Sequence, residues 1–194
     1  MENYKKNLEL LTKNHVYSKE MEHDACGVGL IASTEGKKSR AIVEYGIEAL
    51  KAVWHRGAVD ADGKTGDGAG IHVEIPKDFF IEKIQVTGHD YDNSEICVGM
   101  IFLPRNDYSA QESCKTIVES ELTKNNFSIY GWRQVPVNSK VLGEKALQTM
   151  PEIIQVLFKP NDPNLLDKNL ERKIYETRKR IENKAFDSSL NNFY

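Results

Sequence analysis

An α+β fold, with antiparallel sheets covered by helices, is predicted by three features of this 194-residue chain. In "IHVEIP", residues 71–76, Ile71, Val73 and Ile75 alternate with His72 and Glu74, which reads as a half-buried strand ended by Pro76. In contrast, "EICVGMIFLP", residues 95–104, is apolar on both faces, as a central strand covered on both sides would be. Helix-like and strand-like segments also fail to alternate regularly enough for a doubly wound parallel sheet. The hydrophobic content of 40% suffices for one core.

The other elements follow in chain order. "GVGLIASTEGKK", after Cys26, suggests a short glycine-bearing strand and a turn at Gly36. Val43, Ile47, Leu50 and Trp54 then fall on one helical face, with Ser39 as N-cap and Gly57 as stop. "SAQE", Ser109 to Glu112, has the form of a capping box and opens a helix with Cys114, Ile117, Val118 and Leu122 inside. "FSIYGWRQVPV" reads as a strand, "GEKALQTM" as a short helix and "EIIQVLF" as another strand. Leu166, Leu170, Ile174 and Ile181 mark a long amphipathic helix, with Glu176 four residues before Arg180. "AFDSSLNNFY" resumes strand character at Asn192 to Tyr194, which suggests the front part of something larger.

Charge and composition exclude several function classes. Lys and Arg number 26 against 29 Asp and Glu, a net charge of −3 that leaves no footprint for nucleic acid and no polybasic membrane patch. No apolar run approaches the ~20 residues of a membrane-spanning helix, and the polar leader fits no secretory signal. Cys26, Cys97 and Cys114 form no CxxC pair and are odd in number, which points to a reducing compartment, the cytoplasm, or the plastid stroma in a eukaryote. The five histidines show no zinc-ligand spacing, so no metal site is expected.

"HRGAVDADGKTGDGAG", residues 55–70, resembles a phosphate cradle but fails two tests. A P-loop needs four residues between its first glycine and Gly-Lys-Thr, whereas Gly57 and Gly63 enclose five. A helix precedes the loop and a strand follows it, the reverse of the order that aims a helix N-terminus at an anion. The glycines from 63 to 70 are instead expected to serve backbone geometry at positive φ, with Lys64 and Asp67 as surface charges.

"EHDACGVG", Glu22 to Gly29, places a thiol between Ala25 and Gly27. One reading is a small buried hydrophobe at a strand start. The other is an N-terminal nucleophile: cleavage after Ala25 would give Cys26 a free α-amine that titrates near the thiol, at about 8, and can take its proton.

"HDACGVGLIA" and "ALKAVWHRGAVDADGKTGDGAGI" resemble the start of the glutamate synthase large subunit, whose amino-terminal domain is a class II glutamine amidotransferase. "QVPVN", "LGEKA", "MPEIIQVLF" and "LERKIYETRKRIE" resemble that family at corresponding places. The resemblance implies an N-terminal-nucleophile hydrolase fold, a four-layer αββα sandwich, of which this chain is the front half. It implies that residues 1–25 are a propeptide and that 26–194 begin the glutaminase domain. Cys26 is then the catalytic nucleophile, Arg56 the catalytic-site residue that holds it, and Gly57 part of the substrate pocket. For Arg56 a second role, as a cation at the helix C-terminus, is compatible with this.

Implied partners are L-glutamine, the remainder of a glutamate synthase chain and a small reductase subunit. No cofactor is expected in this segment; FMN and an iron–sulfur cluster are implied for the rest of the enzyme. The family's oxyanion donor comes from an Asn-Gly pair, which this chain lacks, so that donor is expected further along. The implied function is glutamine hydrolysis that supplies ammonia for glutamate synthesis from 2-oxoglutarate. The alternatives are a non-catalytic paralogue or interaction module that keeps this half of the fold, and another N-terminal-nucleophile hydrolase, which "HRG" argues against.

Overall fold

The computed structural model describes residues 6, 7, 9, 10, 13, 27–54, 57–190 and 193. The chain divides into two compact units, Met1–Gly57 and Ala58–Tyr194. In the first unit, residues 27–33 are irregular and Val28 and Leu30 are exposed, so the strand expected after Cys26 does not form. Gly27 and Gly29 raise the entropy cost of an extended segment, and among the described residues no neighbouring strand supplies a ladder to offset it. The turn at Gly36 is present: its φ is 65° and its amide donates to the Ser33 carbonyl at 3.2 Å.

Helix α1 (Arg40–Ala52) starts where the sequence places it. Ser39 is extended, and its Oγ accepts from the Ala41 amide at 3.2 Å, satisfying a first-turn donor with no helical partner. Val43, Ile47 and Leu50 form the expected stripe and are half-buried. Trp54 lies past the helix end and is 76% exposed.

The second unit contains α2 (Lys77–Val86), β1 (Cys97–Leu103), α3 (Tyr108–Lys124), β2 (Phe127–Gln134), a 3-10 turn (Ser139–Val141), α4 (Glu144–Thr149), β3 (Glu152–Pro160) and α5 (Asp167–Asp187). Its sheet is antiparallel with strand order β1-β3-β2. The central strand is therefore β3, and β1, expected in the middle, is an edge. Residues 71–75 are irregular, and Ile71 and Val73 are exposed. Their alternation is a local property, whereas a strand also needs a ladder partner.

Helices cover both faces of this sheet, and β3 is buried from Ile154 to Phe158. On one face Val156 and Phe158 pack with Val118 and Leu122 of α3 and with Leu170 and Ile181 of α5. On the other, Leu157 packs with Ile96, Tyr130 and with Phe80 and Ile84 of α2, a helix the sequence reading passed over.

A bulge in β2 serves both faces. Ile129 pairs with Phe158 and Gly131 with Leu157, leaving Tyr130 as the extra residue. This resets the alternation: Phe127, Ile129 and Trp132 pack on the α3–α5 side, and Tyr130 on the α2 side. Gly131 has φ 148°, and a Cβ there would lie 2.8 Å from Thr87 Cγ2, so glycine is required. The Tyr130 hydroxyl donates to Asp92 Oδ1 at 2.9 Å, and Lys159 pairs with the other carboxylate oxygen. The Lys159 bond, followed by those from Ser94 and Tyr130, holds the Asp92 carboxyl well below the usual carboxylate range.

Three details differ from the sequence reading. The N-cap of α3 is Asp107, whose Oδ1 accepts from the Ala110 amide at 2.9 Å, so "SAQE" lies inside the first turn. Its inner face is as expected, with Cys114, Val118 and Leu122 buried. Glu176 pairs with Arg172 at 2.9 Å rather than with Arg180. Of the strand expected at 192–194, Asn192 and Tyr194 lie outside the described residues, while Phe193 packs against the core. Among the described residues no helix is long and apolar enough to cross a membrane.

A charge cluster ties α3 to α5. The buried Glu121 carboxylate is paired by Lys184, and by Lys124 at 3.5 Å. The Lys184 hydrogen bond dominates and lowers the Glu121 pKa. A depressed folded-state pKa adds stability that is present above the unfolded value, ~4.3 for glutamate, and lost as pH falls through the folded one. Thermal melts of wild type and Glu121→Gln should therefore differ at pH 6 and converge at low pH. A gap that widens on acidification would contradict the pairing.

Candidate functional site

Cys26, His55 and Arg56 lie outside the described residues. Gly57 is described and exposed: its amide donates to the Trp54 carbonyl at 3.0 Å, and a Cβ would stand 3.3 Å from that oxygen. Because α1 ends at Ala52, the cation of its last turn is Lys51.

The glycine-rich loop that follows is a small hairpin within the second unit. Val59 bridges Gly66, and the Asp60 amide donates to the Thr65 carbonyl at 2.7 Å. Gly63, at φ 67°, closes the turn with its amide on the Asp60 carbonyl at 2.9 Å. Of the glycines from 63 to 70, Gly63 alone has positive φ, so the expectation of several such positions is corrected to one. At the base, Asp67 holds Ala58 twice: Oδ2 accepts from the Ala58 amide at 2.9 Å, and the Asp67 amide donates to the Ala58 carbonyl at 3.3 Å. Asp67 is thus exposed, as expected, and also structural.

The tip carries the hydrogen-bonding groups that a P-loop would offer a phosphate, and the protein uses them internally. Asp62 Oδ1 accepts from the Lys64 and Thr65 amides at 2.9 and 2.7 Å, and Oδ2 from the Thr65 hydroxyl at 2.6 Å. These bonds, the hydroxyl's first, hold the Asp62 carboxyl well below the usual carboxylate range. Such an Asx turn is what an aspartate followed by Gly-Lys-Thr can form locally. The tip docks on the start of α4. Thr65 Oγ1 receives the Ala146 amide at 3.4 Å, and Lys145 pairs with Asp60 at 2.7 Å.

Gly143, the N-cap of α4, makes no side-chain cap bond of its own. A Cβ on Gly143 would fall 2.2 Å from Thr65 Oγ1 and 2.4 Å from Asp62 Oδ2. Asp62 and Thr65 therefore cap the helix from a distant part of the chain, and glycine gives them room. Sequence reading assigned no role to Asp62, Thr65, Gly143 or Lys145; the local signal was the Asp-x-x-Thr spacing, and the rest is tertiary.

The remaining thiols are poor nucleophiles. Cys97 and Cys114 are buried in separate core clusters. Burial, with a smaller contribution from Glu95, pushes the Cys97 thiol up to about 12, and burial also raises that of Cys114. Reactivity follows the thiolate, so both are inert at neutral pH. Among the described residues no group of three or more His, Cys, Asp or Glu side chains could hold a metal ion.

Comparison with known proteins completes this picture. The family model for class II glutamine amidotransferases matches residues 26–194. The glutamate synthase [NADPH] large chain of Azospirillum brasilense is 51% identical over 191 residues, which is 98% of this chain and 12% of that one. A ferredoxin-dependent glutamate synthase of Pyropia yezoensis is 40% identical over 89% of this chain and 11% of its own length. The glutamate synthase [NADH] of Saccharomyces cerevisiae is 36% identical over 93% of this chain and 9% of its own length. The chain thus spans about a tenth of the length of these relatives. A match that opens on Cys26 and takes in every element of the second unit decides the family: this chain belongs to the class II glutamine amidotransferases.

Proposed function

We propose that this chain is the opening part of a glutaminase domain whose nucleophile is Cys26, exposed as the N-terminal residue when the propeptide 1–25 is removed. One observation carries the reading: the family match begins at the cysteine that follows Ala25. The Cys26 α-amine takes the thiol proton, and the thiolate attacks the side-chain amide carbon of glutamine. The tetrahedral intermediate breaks its C–N bond and expels ammonia, with the amine returning a proton to the leaving nitrogen. Water then hydrolyses the γ-glutamyl thioester to glutamate and frees the thiol. Arg56 orients the terminal cysteine and Gly57 borders the glutamine. Ammonia serves glutamate formation from 2-oxoglutarate in the full-length enzyme.

In the whole domain this half would belong to a four-layer αββα sandwich. Family membership supports that arrangement, as do the alternating apolar residues at 71–75, which a second sheet would bury. An iron–sulfur cluster does not fit the described residues. A cluster needs converging thiolates, and Cys97 and Cys114 sit apart with their thiols protonated. No step is derived through the cluster or through FMN; we place both, and any contact with a small reductase subunit, in the rest of the enzyme. For the setting we propose a reducing compartment, the cytoplasm, or the plastid stroma in a eukaryote.

The test is labelling of the mature protein with a glutamine-mimicking diazoketone, followed by peptide mapping. The label should sit on Cys26, and the same spectra should show Cys26 as the first residue. A label on Cys97 or Cys114 with Cys26 untouched, or Met1 retained in active protein, would overturn the assignment.

A further inference from the structure

β1 combines the two-sided apolar sequence of an inner strand with the position of an edge. Sheet edges are ordinarily blunted against further pairing by bulges, charges or proline. β2, the opposite edge, carries such devices: a bulge at Tyr130, Gly131 at φ 148° and the charge of Arg133. β1 carries none of them. Its register with β3 is unbroken from Cys97 to Leu103, and CVGMIFL contains no proline and no charged residue. Met100, at its centre, is 47% exposed.

The order of connections points to the same edge. β1 and β2 both run antiparallel to β3, so β1–α3–β2 is a split βαβ unit of two parallel strands with β3 between them. α5 follows β3 as α3 follows β1, and both helices pack on the same face of the sheet. Crossovers of this kind are right-handed in nearly all sheets. Because β3 runs opposite to β1, a crossover of the same hand over the same face moves across the sheet in the opposite direction. It therefore carries the chain after α5 past β1 and away from β2. Phe193 is already on that course: it packs against the cluster of Leu103, Cys114 and Ile154, beside the last residue of β1. A strand antiparallel to β1 has to begin at this end.

We infer that the edge of β1 is a strand-addition site whose occupant is the segment following Phe193 in the full-length polypeptide, paired antiparallel with Cys97–Leu103. The inference rests on the reading of this chain as the opening part of a longer one, and on nothing at Cys26. The added strand completes a β-α-β-β-α-β unit in which β1 is an inner strand, as its sequence requires. Main-chain hydrogen bonds supply the affinity, and the apolar side chains of β1 favour apolar partners across the ladder. A tether of a few residues holds the segment at an effective concentration on the order of millimolar, which a second copy of the chain does not match.

The experiment places the photo-crosslinker p-benzoylphenylalanine at Met100 in the full-length protein and maps the irradiated product by mass spectrometry. The crosslink should join position 100 to the same polypeptide within about ten residues after Phe193, the span of a ladder as long as β1. A crosslink to another part of the chain, to a second copy or to no protein at all would overturn the inference. Amide hydrogen exchange of the unsubstituted protein gives an independent readout. Neighbouring amides of a strand point to opposite sides, so an edge protects alternate ones and an inner strand protects all. Every amide from Val98 to Leu103 should therefore exchange as slowly as those of β3, while alternate amides of β2 exchange fast. Fast exchange at alternate residues of β1 would also overturn the inference, whether or not the Met100 variant folds. A natural protein whose intact mass places its end at Tyr194 would instead overturn the parent reading.

Discussion

Cys26→Ser should lower glutamine-dependent turnover at least about a thousandfold, because removing the proposed nucleophile discards the covalent route and not one contact of it. A hydroxyl at the same position is almost fully protonated at neutral pH, and an α-amine titrating near 8 is too weak a base to ionise it. Any reaction of the full-length enzyme that accepts free ammonia should survive the substitution. Cys97→Ser and Cys114→Ser provide the contrast. Each places a hydroxyl in an apolar cluster and should cost stability, yet leave glutamine chemistry in place. Assaying the three variants with glutamine and with ammonia separates these outcomes. Substantial glutamine turnover in Cys26→Ser would count against the N-terminal nucleophile.

Leu157→Ala should be the most damaging single truncation in the sheet. Leu157 is fully buried in the central strand, opposite Val98 on one side and Gly131 on the other. It packs against Phe80, Ile84, Ile96 and Tyr130, so the cavity would open between the sheet and α2. Leucine truncations of this kind cost about 2–5 kcal/mol, a large share of the ~5–15 kcal/mol typical of a folded domain. At about 2–4 °C per kcal/mol for a chain of this size, a drop of roughly 4–20 °C in the melting midpoint is expected. Val86→Ala, at an 82% exposed position at the end of α2, should shift it by no more than about 2 °C. Calorimetry of both variants checks the pair, and equal midpoints would contradict the packing described.

What the sequence disclosed, and what it withheld, follows the range of the interactions involved. Helix α1 was legible because its signals are local: an apolar stripe at helical spacing and a serine whose hydroxyl reaches an amide two residues on. The inner face of α3 and strand β3 were legible for the same reason. Helix α2 was not, since Phe80 and Ile84 are its only buried residues and Pro76 before it makes no side-chain cap. Strand order could not be read either: β1 and β3 are equally apolar, and only long-range pairing decides which one is central. At the site, Cys26 was singled out by its small neighbours Ala25 and Gly27 and then by family resemblance, and Arg56 and Gly57 as site residues by that resemblance alone. The lock between Thr65 and Ala146 spans 81 residues and leaves no mark at either end beyond a glycine and a common turn pattern.

Strand order also governs how the chain assembles during synthesis. Among the described strands, β3 leaves the ribosome after β1 and β2, yet it lies between those two, which do not pair with each other. Until Glu152–Pro160 emerges, β1 and β2 have no ladder, and the apolar faces of α2 and α3 have no sheet to cover. At about 5–20 residues per second, the wait between the end of β2 and the end of β3 lasts on the order of a few seconds. During that interval the nascent chain offers unpaired strands and apolar helices to whatever is nearby. A stop codon after Gln134 would therefore release a chain with both described edge strands, β1 and β2, and without the β3 that joins them, a ready client for chaperones and proteases.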